Sequence, residues 1–159
     1  MATIDLAKFL PYLVYRMLPL IDRAYAETLV PLEVTREMFR TMVILQNEGP
    51  QSLSRLSELT SINLSTLSRL VGRMEERKLL RRRKVRGSRN VEIALLPLGR
   101  KKCELLIPAA LAYEQKVRRH FGAEEVAAIE NMLHALHSAF RDSVAPESED
   151  EAASKNTIA

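Results

Sequence analysis

Ten basic side chains fall between Arg69 and Arg89: Arg69, Arg73, Arg77, Lys78, Arg81, Arg82, Arg83, Lys84, Arg86 and Arg89. Only Glu75 and Glu76 oppose them, so this stretch carries +8 while the whole chain of 159 residues carries +4. Guanidinium forks and ammonium groups at this density suit a polyanion. Just upstream, Ser65, Thr66 and Ser68 place short hydroxyls, each both donor and acceptor, beside Arg69. Hydroxyls that can approach base edges, next to arginines long enough for guanine or phosphate, supply the chemistry of duplex DNA recognition. The end of the chain reverses the sign, with Glu147, Glu149, Asp150 and Glu151 against Lys155 alone.

Catalysis has no comparable support. There is no glycine-rich phosphate loop, no pair of carboxylates at catalytic spacing and no nucleophile–base motif, so neither an enzyme activity nor a cofactor is expected. Cys103, the single cysteine, shares an apolar stripe with Leu106 and Ala110 and reads as a buried, inert thiol rather than an oxidant sensor. His134 and His137 stand one helical turn apart, but without a second His or Cys cluster they read as surface or interface residues, and no metal is expected. Tyr12, Tyr15, Tyr25, Tyr113 and Phe9 could line a pocket for an aromatic ligand, and Arg16, Arg23 and Arg40 could hold its carboxylate. The same residues serve core packing, dimer packing and solvated helix faces equally well. Tyr12, Arg16 and Arg40 are the candidate ligand contacts.

The elements that must position these residues are mostly helical. Five glycines, no tryptophan, 47% hydrophobic and 28% charged residues describe a helix-rich globular chain. One cysteine excludes a disulfide scaffold, and no apolar run approaches the ~20 residues that span a bilayer. The start, MATIDLAKFL, has no basic region followed by a long apolar stretch, so a cytoplasmic protein is expected. Leu6, Leu10, Leu13, Met17, Leu20 and Ala24 form a helical stripe that Pro11 and Pro19 should start late or kink and Pro31 should close. Thr35 is placed to cap a second helix, which Gly49-Pro50 stops. Ser52 caps a short helix carrying Leu53, Leu56 and Leu59. After the polar break Thr60-Ser61-Ile62-Asn63, Asn63 caps a longer one whose buried face is Leu67, Leu70, Val71 and Met74.

Beyond Lys78 the period becomes alternating, predicting two short strands joined at Arg86-Gly87-Ser88-Arg89. Beyond Gly99 it is helical again through Cys103, Leu106, Ala110, Tyr113 and Val117, with a kink expected at Pro108. After Gly122, the series Val126, Ile129, Leu133, Leu136 and Phe140 is coiled-coil-like. The terminal stripes are too apolar to face water, and a dimer interface is the natural way to cover them.

A short helix, a tight polar turn, a second helix opening on small polar residues and then a basic hairpin make a helix-turn-helix with a wing. Residues Thr35 to about Phe140 resemble the MarR family of bacterial winged-helix transcription regulators. The resemblance is carried by Met38-Phe39-Arg40 with Gly49-Pro50, by Leu53-Ser54-Arg55-Leu56-Ser57, by the block from Ser65 to Arg77 and by Leu79-Leu80-Arg81-Arg82. The block from Leu95 to Gly99 stands where that family begins a long dimerisation helix. Three positions depart from it. Lys78 stands where Gly is common, Ser88 where an Asp near the wing tip often orients an Arg, and Leu64 at a usually polar or basic position, where it can meet a thymine methyl.

The expected architecture is mainly α with a small β-hairpin wing. Residues 1–31 form an N-terminal dimerisation helix, 32–96 the DNA-binding region, 97–145 C-terminal dimerisation helices and 146–159 a disordered acidic tail. The expected DNA contacts are Ser65, Thr66, Ser68, Arg69 and Arg73 on the second helix, Arg82 on the first wing strand, and Arg86 and Arg89 at the wing tip in a minor groove. By resemblance the protein is a homodimer reading an inverted-repeat operator, and many relatives release DNA when a small, often aromatic, acid binds. Two rival classes remain open: a sequence-tolerant architectural DNA binder without effector, and a protein-interaction winged helix.

Overall fold

The computed structural model describes residues 3–84 and 91–144. Arg86 and Arg89, and the acidic tail expected from residue 146, lie outside the described residues. The chain forms two compact units that divide between Tyr113 and Glu114.

In the first unit, α1 spans Leu10–Leu29 with Phe9 at its N-cap and Pro11 in its first turn, where a missing N–H costs nothing. The late start demanded by the prolines leaves Leu6 outside the helix, and Pro19 is accommodated inside it. A 3-10 turn, Val30–Leu32, and a left-handed Glu33 (φ 53°) lead into α2, Arg36–Glu48. Thr35 caps α2 by accepting from the Met38 N–H at 3.3 Å. Gly49 ends it at φ 76°, ψ −163°, a conformation open to little but glycine.

Strand β1, Gln51–Ser52, precedes α3, Leu53–Thr60, and α4 runs Leu64–Glu76. Ser52 Oγ accepts from the Arg55 N–H at 3.1 Å and Asn63 Oδ1 from the Thr66 N–H at 2.9 Å, so both expected caps form. Leu67, Leu70, Val71 and Met74 are buried, as their spacing predicts. The hairpin is β2, Leu80–Lys84, and β3, Val91–Leu95, antiparallel with Leu80 opposite Leu95 and Arg82 opposite Ile93. β1 adds to the other edge of β3, giving the order β1-β3-β2. Two polar residues show no alternation, so periodicity could not reveal this third strand.

The core gathers Met42 and Leu45 of α2, Leu56 of α3, the buried face of α4, and Leu79, Leu80 and Ile93 of the wing base. Helix α5 spans Pro97–Arg118, and its Cys103 and Leu106 reach the core. A Cβ on Gly99 would collide with the Leu79 carbonyl, so this glycine lets α5 press against the wing base.

The second unit takes the last turns of α5 and helix α6, Ala123–Val144. Glu125 caps the start of α6 by accepting the Gly122 N–H at 2.7 Å, and Arg118 bridges Glu114 and Glu130. No residue of α6 is buried.

Candidate nucleic-acid interface and ligand cavity

Helix α4 is amphipathic in the sense a groove-reading helix requires. Its apolar face is consumed by the core, and Ser65, Thr66, Arg69 and Arg73 are exposed with Ser68 half-buried between them. The turn before it is fixed from both sides. The Ser57 hydroxyl donates to the Ile62 carbonyl at 2.6 Å, the Ile62 N–H donates to Thr60 Oγ1 at 3.3 Å, and Arg40 Nη1 donates to the Thr60 carbonyl at 2.6 Å. Ser61 completes the reversal in the left-handed region at φ 54°. The Ser65 hydroxyl donates to Asn63 Oδ1 at 3.0 Å, so cap and first-turn hydroxyl form one local network. Leu64 is 49% exposed at the helix start, a position from which it could meet a thymine methyl.

The basic stretch is not uniformly available. Arg77 donates to the Glu33 carbonyl at 2.6 Å and its carboxylate at 3.2 Å, and Arg83 pairs with Glu92 at 3.0 Å. Arg82 is tied to Glu75 and to the Ser68 carbonyl. Arg69, Arg73, Arg81 and Lys84 are exposed and have no ion-pair partner among the described residues. A count of charges in the sequence could not separate these two groups, because each pair joins different parts of the fold. Glu33 lies 44 residues from Arg77, and Glu75 and Glu92 lie across from Arg82 and Arg83 on α4 and β3.

A separate cavity of about 490 Å3 opens among α1, α2 and α5, lined by Ile21, Tyr25, Arg36, Phe39, Arg40 and Ile107 among others. Arg36 Nη1 pairs with Asp22 at 2.6 Å, while its Nε is buried without a hydrogen-bond partner among the described residues. Tyr25 lies against both Phe39 and Tyr113, with ring centroids 6.4 and 5.5 Å away. An apolar, aromatic wall with two guanidinium groups is chemically suited to a planar carboxylate. Of the candidate ligand contacts, Arg40 is brought to this cavity. Tyr12 and Arg16 stand elsewhere on α1, with the Arg16 guanidinium 5.8 Å from the Tyr12 ring centre. Arg36 escaped sequence reasoning because its partner Asp22 lies on another helix and leaves no local pattern.

Two further candidates are Cys103 and the pair His134 and His137. Burial pushes the Cys103 thiol up to about 11, Arg100 opposing and Glu104 adding, so it stays protonated and unreactive near neutral pH. His134 and His137 belong to no group of three or more potential metal ligands among the described residues.

A hairpin wing following a helix-turn-helix, on a three-stranded antiparallel sheet, defines a winged helix-turn-helix protein. Residues 34–89 match the model of the MarR family. The solved structures that share the fold include the PcaV transcriptional regulator from Streptomyces coelicolor in complex with its natural ligand. That protein is 22% identical, covering 87% of this chain and 99% of its own, with a TM-score of 0.76. The MepR–DNA complex of S. aureus is 19% identical over 82% of this chain and 95% of its own, TM-score 0.75. BpsR of Bordetella bronchiseptica, whose DNA binding is regulated by 6-hydroxynicotinic acid, is 24% identical over 80% and 98%, TM-score 0.71. No match was found among curated proteins. Among the described residues, no helix is long and apolar enough to cross a membrane.

Proposed function

We propose that this chain is a homodimeric, sequence-specific DNA-binding regulator of transcription, acting in the cytoplasm as a repressor that a small aromatic acid releases. It binds rather than catalyses. The observation that carries the reading is α4: a helix that buries Leu67, Leu70, Val71 and Met74 in the core and whose outward side presents Ser65, Thr66, Ser68, Arg69 and Arg73. Such a face suits the major groove, with hydroxyls and guanidinium groups matched to base edges and phosphates. Arg86 and Arg89 extend the charge toward the flanking minor groove. Residues 1–31 and 97–145 pair two copies, and residues 32–96 of each read one half-site of an inverted repeat.

The cavity beside Arg36 and Arg40 supports the ligand half of the reading. Its aromatic wall and the Arg36 and Arg40 side chains that line it suit a carboxylate on a planar ring, the chemistry of 6-hydroxynicotinic acid, which regulates DNA binding by BpsR.

Selection from a random duplex pool tests the DNA half. The protein should enrich an inverted repeat with half-sites about 10 base pairs apart and prefer it over random duplex by ~10³ or more. Arg69→Ala should weaken that site by ~1–3 kcal/mol and relax preference at one position, as loss of a bidentate base contact does. A preference near unity would instead establish the sequence-tolerant architectural binder.

A further inference from the structure

Arg82 sits in the basic stretch, yet its donors are spent within the chain. Its backbone N–H donates to Glu75 Oε1 at 2.6 Å and its Nη1 to Glu75 Oε2 at 2.8 Å. Its Nη2 donates to the Ser68 carbonyl at 3.0 Å. One carboxylate therefore grips both the backbone and the side chain of a single wing residue. Ser68 and Glu75 are seven residues apart on α4, on one face and two turns apart, so the guanidinium lies along the flank of the helix. In the order β1-β3-β2, β2 is an edge strand, and the N–H that Glu75 takes is one the sheet leaves open.

Both side chains are 36% exposed, and an ion pair so wetted adds little stability by itself. Two bonds from the rigid guanidinium fork and a third from the backbone N–H of the same residue, however, fix direction. From this geometry we infer that Arg82 is a positioning residue: through Glu75 and the Ser68 carbonyl it sets the angle between wing and α4, so that both engage one duplex together. The inference rests on α4 being the DNA-reading helix. Direct contact is left to Arg69, Arg73, Arg81 and Lys84. Helix and wing are two binding elements on a short tether, and the second contributes fully only while the geometry holds. Loosening the strut should lower sequence preference without removing a phosphate contact.

A double-mutant cycle on the full-length protein separates strut from contact. Arg82→Gln and Glu75→Gln should each lower preference for the selected site about tenfold, and the double variant should lose no more than either alone. The dependence of binding on salt should keep its slope in Arg82→Gln, whereas loss of a phosphate contact reduces it by about one unit. The reversed pair, Arg82→Glu with Glu75→Arg, should recover part of the preference, and unchanged melting temperatures exclude a general fold defect. A slope reduced by about one, tighter binding by Glu75→Gln, or additive losses would each overturn the strut and make Arg82 a DNA contact. Hydrogen exchange without DNA reads the strut alone: the Arg82 amide should be protected in the wild type and lose protection in Glu75→Gln. Protection unchanged in that variant overturns the inference. If protection is lost but the wild type binds no DNA, the DNA reading fails while the strut stands.

Discussion

Lys78 holds φ at 56°, a conformation that costs a residue with a Cβ roughly 1 kcal/mol. The reason lies in how α4 ends. The Lys78 N–H donates to the Glu75 carbonyl and the Leu79 N–H to the Met74 carbonyl, both at 2.9 Å, which closes a Schellman motif. Leu79 and Met74 are fully buried, so the apolar contact that accompanies this motif is also made. The position calls for glycine, and the chain places a lysine there. Lys78→Gly should therefore stabilise the protein by about 1 kcal/mol, read as a higher urea midpoint at unchanged slope. A lower midpoint would mean that the lysine side chain contributes more than its backbone strain costs. The same substitution removes an exposed cation beside α4 and should weaken DNA binding across all sequences alike. Residue by residue, the helix caps were the most legible feature. Thr35, Ser52 and Asn63 each act on an N–H three positions away, a range over which sequence carries the signal. Arg36–Asp22 and Arg77–Glu33 join residues far apart in the chain, and only the fold reveals them.

Among the elements, α4 contains one residue that works against it. Gly72 lies in mid-helix, where glycine costs roughly 1 kcal/mol relative to alanine, and a Cβ built there would meet nothing within 4 Å. No contact within the protein requires it. It shares the outward side with Ser65 and Ser68, the side proposed to face the duplex. Gly72→Ala should raise stability by ~0.5–1 kcal/mol and lower affinity for the selected site, because the added methyl stands where the helix approaches its partner. A variant that gained stability and bound DNA unchanged would place that turn of α4 away from the duplex. The helices, and the switch from helical to alternating period at Lys78, were legible because burial imposes a period on each element. β1 was not, being two polar residues recruited by pairing with β3, and neither was the fit of Gly99 against the Leu79 carbonyl. The strut from Arg82 to α4 was equally hidden, since a charge run gives no sign of which arginines are internally engaged.

At the scale of the whole molecule, the unexplained quantity is apolar surface. Leu10, Met17 and Leu20 of α1 are 55%, 48% and 67% exposed, and on α6 Met132 and Leu133 are 63% and 50% exposed. Stripes of this kind mark interaction surfaces, because monomers rarely leave contiguous apolar patches in water. A second copy of the chain is the partner that the proposed inverted-repeat operator would also require. The single chain gives Leu133 no buried role, so replacing it should not disturb the winged segment, whose core holds no residue of α6. In the proposed dimer seam, Leu133→Asp would bury an unpaired carboxylate, which costs several kcal/mol. The expected outcome is a folded monomer at micromolar concentration that no longer binds the full operator. Sedimentation of wild type and variant, with circular dichroism to establish that the variant is folded, reads this directly. A wild type that sedimented as a monomer and still bound one half-site tightly would remove the two-fold mechanism, leaving the apolar faces of α1 and α6 to some other partner.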